Sequence, residues 1–455
     1  MMSRMTYKMK RAAFEKMLDK ILKNVKKNQK ATFLRLIDMT EGLMKDHLSP
    51  DTYSGARAMA ENPNSKWMHY FDMLIKEIDP YVLKKTLMNL GFESMLAGTK
   101  QMHKMREKYQ CNIPWVILMD PTSACNLHCT GCWAAEYGHT LSLSYEEMDR
   151  IITEGKALGV HFYMYTGGEP LVRKADLIKL CEKHNDCIFL AYTNGTLVDE
   201  EYCKEMQRVG NLALAISLEG YEEVNDGRRG KGVFQKVMNA MDLLKQYGLV
   251  FGTSICYTRD NIETVTSDEF LDMIIAKGCR YSWYFHYMPV GNDAAVELLP
   301  TMEQREYMYH RIREIRAKEG GKPIFAIDFQ NDGEFVGGCI AGGRNYCHIN
   351  PNGDVEPCVF IHYSGANIKE VSLLEALQQP LFMAYREGQP FNGNHLRPCP
   401  MLENPEKLQE MVKRTGARST DLKSPETAEH LCSKCAAYAK EWAPCAERLN
   451  NSSGN

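Results

Sequence analysis

The apolar positions along the chain change their rhythm twice. Over 1–110 they recur at helical spacing: Phe14, Met17, Leu18, Ile21, Leu22 and Val25 fall at i, i+3, i+4 and i+7, which predicts an amphipathic helix. More helical pattern runs through about residue 108, with turn signals at Ser49-Pro50 and Asn62-Pro63-Asn64, so this region reads as an all-helical extension. From Trp115 short apolar runs alternate with amphipathic stretches. The runs are Trp115–Met119, Phe162–Tyr165, Ile188–Tyr192, Leu212–Ser217, Val250–Tyr257 and Tyr281–Tyr287, and helical stretches lie near 144–158, 175–183, 200–209, 234–247 and 267–277. Repeated βα units of this kind build a parallel sheet, closed as a partial barrel or open and doubly wound, with ligands at the carboxyl ends of the strands. After about residue 320 that rhythm gives way to Cys, Gly, Pro and Asn, the texture of a small metal-stabilised domain. A charged stretch over 400–431 reads as a helix plus an exposed loop. The predicted boundaries are therefore 1–110, 111–320 and 321–455.

Composition narrows the function. The 455 residues carry a formal net charge of −3, which gives no global electrostatic reason to bind nucleic acid. No uncharged apolar run approaches the ~20 residues of a membrane span. The charge is segregated, however: residues 1–30 hold ten basic residues, among them Lys26 and Lys27, against Glu15 and Asp19. A lysine-rich amphipathic helix can lie on an anionic membrane, or its polar face can simply be solvated while its apolar face packs on the protein.

The sixteen cysteines raise a different chemistry. So many thiols without an apolar signal sequence point to metal or redox work in a reducing compartment, and the expected location is cytoplasmic, with peripheral membrane contact through the first helix as an added expectation. Three cysteines cluster at Cys125, Cys129 and Cys132, directly after the first predicted strand. A structural zinc site closes four ligands, whereas an iron–sulfur cubane held by three cysteines keeps one iron open for chemistry. The alternative is a zinc site completed by Cys111 or His128. Seven more cysteines, Cys339, Cys347, Cys358, Cys399, Cys432, Cys435 and Cys445, lie in the last third, and a structural zinc ribbon is the plain alternative there. Cys111, Cys181, Cys187, Cys203, Cys256 and Cys279 read as core or surface thiols.

Cys125-Asn-Leu-His-Cys129-Thr-Gly-Cys132 resembles the signature of the radical S-adenosylmethionine (SAM) superfamily. The resemblance implies a partial (β/α)6 TIM-like barrel over about 115–330. It also implies a [4Fe-4S] cluster on Cys125, Cys129 and Cys132, SAM as cofactor, and a low-potential electron donor of the ferredoxin or flavodoxin type. The usual signature has an aromatic residue before the last cysteine, on the adenine side; Gly131 stands there, with Trp133 just after. Other segments at strand ends resemble the family's SAM contacts. Gly167-Gly168-Glu169-Pro170 is similar to its GGEP segment. Ser217 and Glu219 match a serine and an acid that meet the sulfonium side and the ribose. Arg229, favoured over Arg228, matches an arginine for the methionine carboxylate, and Asn194 of Thr193-Asn194-Gly195, Ser254 and Met288-Pro289-Val290 match weaker contacts.

Cys339 and Cys358 are spaced as Cys-x13-Gly-x4-Cys, which is similar to the opening of the SPASM auxiliary-cluster domain, and Pro-Asn-Gly-Asp between them signals a hairpin. Cys432-x2-Cys435 fits the remainder, while Cys347, Cys399 and Cys445 depart from its spacing, so one or two auxiliary iron–sulfur clusters are implied. The favoured expectation is a radical SAM oxidoreductase or maturase that abstracts hydrogen from a C–H bond of a peptide or protein side chain. The alternatives are radical modification or coupling of membrane lipid chains, motivated by the basic first helix, the apolar run around Trp67–Leu96 and the aromatic set Trp283, Tyr284, Phe285, His286 and Tyr287 near the open end of the sheet, of which only alternate residues can face inward, and a non-catalytic metal-binding interaction protein.

Overall fold

The computed structural model describes residues 4–24, 28–44, 50–62 and 65–453. Val25, Lys26, Lys27, Ser49, Pro63 and Asn64, which entered the sequence reading, lie outside the described residues. Helices Arg4–Asn24, Gln29–Met44, Pro50–Glu61, Lys66–Glu77, Pro80–Thr86 and Thr99–Tyr109, with a π-helical segment at Leu87–Gly98, form the expected all-helical region. Most of the apolar stripe of the first helix is covered: Phe14 and Leu18 pack on Met88 and Phe92 and Ile21 is buried, while Met17 is exposed. Arg11 donates to the fully buried Glu93 at 2.6 Å. The region docks on the sheet layer through glycines, since a Cβ on Gly98 would stand 2.5 Å from the Gly159 carbonyl and one on Gly159 2.6 Å from the Gly98 carbonyl.

The centre is a nine-stranded sheet, with strands β1 Val116–Met119, β2 Phe162–Tyr165, β3 Ile188–Thr193, β4 Leu212–Ser217, β5 Phe251–Tyr257, β6 Tyr281–His286, β7 Phe325–Asp328, β8 Tyr346–Ile349 and β9 Val355–Glu356. Their order is β7-β6-β5-β4-β3-β2-β1-β8-β9, with β7 and β9 at the open edges. All neighbours pair in parallel except β8 and β9, which form the expected antiparallel hairpin. The six predicted strands thus appear in order. The sheet continues past residue 320, because β7 extends one edge and β8 pairs with β1 in register Val116↔Tyr346 to Met119↔Ile349.

Local chemistry explains why the intervening helices start and stop where they do. Ser144 opens Tyr145–Leu158 with a reciprocal capping box to Glu147, and Gly159, in the left-handed region, closes it. Asp199, whose side chain accepts from the Tyr202 amide, opens Glu200–Val209, and Gly210, also left-handed, closes it. Alternation along each strand then divides two apolar layers. Ile117, Tyr163, Phe189, Leu214, Ile255 and Tyr284 face the helices, while Val116, Met164, Leu190, Ala215 and Cys358 belong to a second core on the opposite side. The C-terminal part is more helical than its composition suggests, ending in the 26-residue helix Ala428–Ser453.

Candidate active site

One cavity of about 240 Å³ lies on the non-helical side of the sheet, and one parity of each strand lines it: Leu118, Met164, Tyr192, Ser217, Ser254 and Trp283. Cys125, Cys129 and Cys132 border it, as do Gly167, Gly168, Glu169, Asn194, Ser217, Glu219, Arg229 and Ser254. Pro170 does not; it opens the short turn Pro170–Arg173 and is buried behind the wall. Cys111 sits in the helix-side core, away from the three thiols, and the His128 ring stands edge-on to His139 and does not border the cavity.

The cysteine loop is braced from three strand ends. Asn194 donates to Asn126 at 2.9 Å, and its amide stands 4.0 Å from the Cys125 sulfur. The Glu169 carboxylate accepts from Thr193 Oγ1, Leu171 N and Asn194 N, fixing the loop after β3. Gly167, at φ +102°, and Gly168 abut the cysteine loop so closely that added Cβ atoms would stand 2.5 Å from the Thr122 carbonyl and 2.3 Å from the Ala124 carbonyl. The two glycines therefore let the two loops touch, a reason beyond ligand access. Arg228 donates to the Thr130 carbonyl at 3.1 Å, and Arg229 reaches the Cys129 sulfur at 3.9 Å. Both arginines pair with Glu219 Oε1, leaving Glu219 Oε2 buried and without a hydrogen-bond partner.

These residues fit the implied cofactors. Burial pushes the Cys125 thiol up to about 11 and raises Cys129 as well, so thiolate ligands there need the compensating charge of a metal centre. The orphaned Glu219 oxygen is an acceptor aimed at nothing the protein supplies, as a ribose-binding carboxylate would be. When bound, the cluster and SAM supply a one-electron cleavage that yields a 5′-deoxyadenosyl radical; the chain holds and orients them.

Sequence reading misses Cys256, whereas the aromatic set Trp283–Tyr287 is expected at the open end of the sheet with only alternate residues facing inward. Cys256 shares the parity of Ser254 on β5, and Arg228 stands beside it. That alternation was the available signal, whereas reading Cys256 as core ignored it. On β6, Trp283 and Phe285 face the cavity with stacked rings 6.1 Å apart, and Tyr284 turns to the helices. At the strand end His286 joins the wall. Its Nδ1 lies 2.6 Å from the Tyr287 carbonyl and its Nε2 2.7 Å from the Tyr438 hydroxyl. Burial, aided by Arg305, drives His286 down to about 3, so it is neutral: Nδ1–H donates and Nε2 accepts from Tyr438.

The second cysteine set is divided. Cys339, Cys358 and Cys399 lie within electrostatic range of one another, and Tyr385 lies within range of all three and of Cys432. Cys358 accepts from Tyr346 at 2.6 Å, and Cys399 from the amides of Met401 and Leu402. Cys432 and Cys435 are one turn apart on the last helix. Two of the seven stand elsewhere. Cys347 faces the helix-side core because its neighbours on β8, Tyr346 and His348, take the other face. Cys445 is ten residues beyond Cys435 on the same helix, a rise of ~15 Å, and packs by Trp442 and Leu449.

Comparison with known proteins agrees with this arrangement. Residues 119–274 match the model of the radical SAM superfamily, and residues 339–401 match SPASM, an iron–sulfur cluster-binding domain. The chain is 27% identical to the AdoMet-dependent heme synthase of Oleidesulfovibrio alaskensis over 61% of its length and 78% of that protein. It is 29% identical to the mycofactocin maturase of Mycolicibacterium smegmatis over 54% and 64%, and 28% identical to the PqqA peptide cyclase of Granulibacter bethesdensis over 60% and 76%. Its fold is similar to that of Streptococcus suis SuiB bound to S-adenosylmethionine, with a TM-score of 0.56 at 16% identity over 83% of this chain and 90% of that one. The chain therefore carries a radical SAM domain over residues 119–274 and a SPASM iron–sulfur cluster-binding domain over residues 339–401, which imply an enzyme that uses SAM on a [4Fe-4S] cluster together with auxiliary iron–sulfur clusters.

Proposed function

We propose that this enzyme abstracts hydrogen from an unactivated C–H bond in an apolar side chain of a peptide or protein. The observation that carries this reading is the apolar wall of the cavity, made of Val116, Leu118, Met164, Trp283, Phe285 and Phe329. Such a wall recognises hydrocarbon and offers little to a charged group. The charged side chains that border the cavity are spent on the fold or on the cofactor: Glu169 in three hydrogen bonds, Arg228 against Glu219, and Glu219 and Arg229 on SAM in this reading, which leaves none for an acid-bearing substrate. The PqqA peptide cyclase is named for a peptide, which supports a peptide for this chain as well.

Within this reading Cys125, Cys129 and Cys132 hold the SAM cluster, Glu219 takes the ribose and Arg229 the methionine carboxylate. Gly167, Gly168, Asn194, Ser217 and Ser254 border the cofactor, and Pro170 only shapes the turn behind it. The auxiliary iron–sulfur clusters draw their thiolates, four to a closed cluster, from Cys339, Cys358, Cys399, Cys432 and Cys435. A ferredoxin or flavodoxin type protein supplies the electron. The same hydrocarbon wall would also accept an acyl chain, which keeps lipid modification as the second reading.

Deuterium transfer separates the two. Reconstituted enzyme is reduced with dithionite in the presence of SAM and offered either peptides deuterated at Leu, Ile, Val, Phe and Tyr side chains or vesicles of perdeuterated phospholipid. Deuterium in 5′-deoxyadenosine from the peptides supports the proposal; deuterium from the vesicles alone replaces it with the lipid reading.

A further inference from the structure

Tyr385 is fully buried, yet its hydroxyl has no hydrogen-bond partner among the described residues. A buried hydroxyl in a folded chain nearly always has an acceptor, and one without it raises the question of what it meets. Tyr165 and Tyr202 share the condition, but the thiols near them are the core cysteines Cys181, Cys187 and Cys203. Around Tyr385 stand Cys339, Cys358, Cys399 and Cys432, four of the C-terminal set.

Several contacts hold the ring there. Tyr385 belongs to the helix Pro380–Gly388. Gly342, three residues after Cys339, lies so close that an added Cβ would stand 2.4 Å from the Tyr385 Cβ, and the Gly342 amide donates to the Pro357 carbonyl at 2.9 Å, next to Cys358. A glycine at φ +61° is thus the point where the Cys339 turn, the Cys358 segment and the helix meet. One turn after Tyr385, Gln389 donates to the Cys339 and Ala341 carbonyls at 3.1 and 2.9 Å. Phe391 meets the phenol ring edge-on at 5.2 Å.

The neighbouring thiols already take donors from the protein. Cys358 accepts from the Tyr346 hydroxyl at 2.6 Å, and Cys399 from the Met401 and Leu402 amides at 3.3 and 3.4 Å. Tyr385 is a further donor among them, and the chain supplies no acceptor for it.

We propose that the Tyr385 phenol donates a hydrogen bond to the auxiliary iron–sulfur cluster held by these thiols and so raises its reduction potential. This rests on the assignment of the C-terminal cysteines to a cluster. A hydrogen bond to a cluster sulfur stabilises the added negative charge of the reduced state more than the oxidised state, so each donor moves the midpoint upward. No covalent bond is made or broken: the cluster gains one electron from the reductant, and the phenol keeps its proton.

The test is a dithionite redox titration read by EPR in the Cys125→Ala/Cys129→Ala/Cys132→Ala background, where only the auxiliary signal remains. It compares that background with Tyr385→Phe and with 3-fluorotyrosine at position 385. The proposal expects Tyr385→Phe to keep its iron and, at the poise that half-reduces the background, to show an about tenfold lower ratio of reduced to oxidised cluster, a midpoint ~59 mV lower for one electron. The fluorinated phenol is the more acidic and stronger donor and should shift the midpoint the other way, a reversal that a packing role does not produce. It keeps the hydroxyl and the shape of the ring, so this arm stands even where the Phe form is unstable. An unchanged midpoint in Tyr385→Phe at full iron, or shifts of the same sign in both forms, would overturn the proposal. So would loss of iron from a folded Tyr385→Phe, which would make the oxygen an iron ligand. A background protein that holds neither iron nor sulfide would instead overturn the cluster assignment on which the proposal rests.

Discussion

His348 Nε2 stands 3.0 Å from Asp120 Oδ2 while its Nδ1 meets Glu356 Oε2 at 2.6 Å, and all three side chains are fully buried. Asp120 follows β1 and precedes the Cys125 loop; Glu356 precedes Cys358 by two residues. An imidazolium between two carboxylates therefore ties the segment bearing the first cysteine set to the hairpin bearing the second. Tyr137 and Asn350 also donate to Glu356, and Thr166 to Asp120.

Removing that imidazolium leaves two buried carboxylates without their counterion. We expect His348→Ala to lose about 3–5 kcal/mol of stability in urea unfolding and to retain less iron on purification. Burial opposes the charged form of His348, but Asp120 and Glu356 outweigh it and push the group up to about 10. A folded-state value raised above the unfolded ~6.5 means that its contribution is complete below about pH 6.5 and disappears as pH rises through 10. The parent should lose more stability than His348→Gln across that interval; parallel profiles would remove His348 from the account.

Gly168 is the tightest point between the two cavity loops. A methyl group there must displace the Ala124 and Ser123 carbonyls, at 2.3 and 2.4 Å, which are backbone and cannot rotate away. Gly168→Ala should cost ~1–3 kcal/mol and lower the iron held by the Cys125 loop, measured in a background with Cys339, Cys358 and Cys399 replaced by Ala. Unaltered stability and iron would show that the loops yield more easily than their packing implies.

The divided second cysteine set makes a direct comparison possible. Cys358→Ala and Cys399→Ala should each lose auxiliary iron, whereas Cys347→Ala and Cys445→Ala should keep it, by iron and sulfide quantification of anaerobically purified protein. Loss of iron in Cys445→Ala would show that the last helix contributes to a further centre.

Much of this was legible in the chain. Tyr163 and Met164, or Ile255 and Cys256, alternate strictly, so the strands and their faces follow from period two once the turn glycines mark their ends. The cysteine loop and the Gly167-Gly168-Glu169 segment stood out because chemistry demanded them at strand ends. What the sequence concealed is long-range. That β8 pairs with β1 is a contact across some 230 residues, with no local signal in either segment. That Tyr385 comes to stand among four of the C-terminal thiols, or that Cys347 and Cys445 turn away from the other thiols, depends on strand parity and helix rise after docking, which spacing alone cannot supply.

The first helix bears on the lipid reading. Its apolar residues Phe14 and Leu18 are spent on Met88 and Phe92, and no helix among the described residues is long and apolar enough to cross a membrane. In liposome sedimentation with anionic vesicles at physiological salt, we expect the full-length protein and a form lacking residues 1–30 to remain equally in the supernatant. Sedimentation of the full-length protein alone would show that the helix leaves its packing site for a membrane.

The most direct measurement is of 5′-deoxyadenosine. Anaerobically reconstituted protein is incubated with SAM and dithionite, alongside the Cys125→Ala/Cys129→Ala/Cys132→Ala variant, with iron quantified in both. The account predicts 5′-deoxyadenosine from the parent alone, with the auxiliary iron still present in the variant. A parent that carries its full iron and forms no 5′-deoxyadenosine, or a variant that forms as much as the parent, would contradict it.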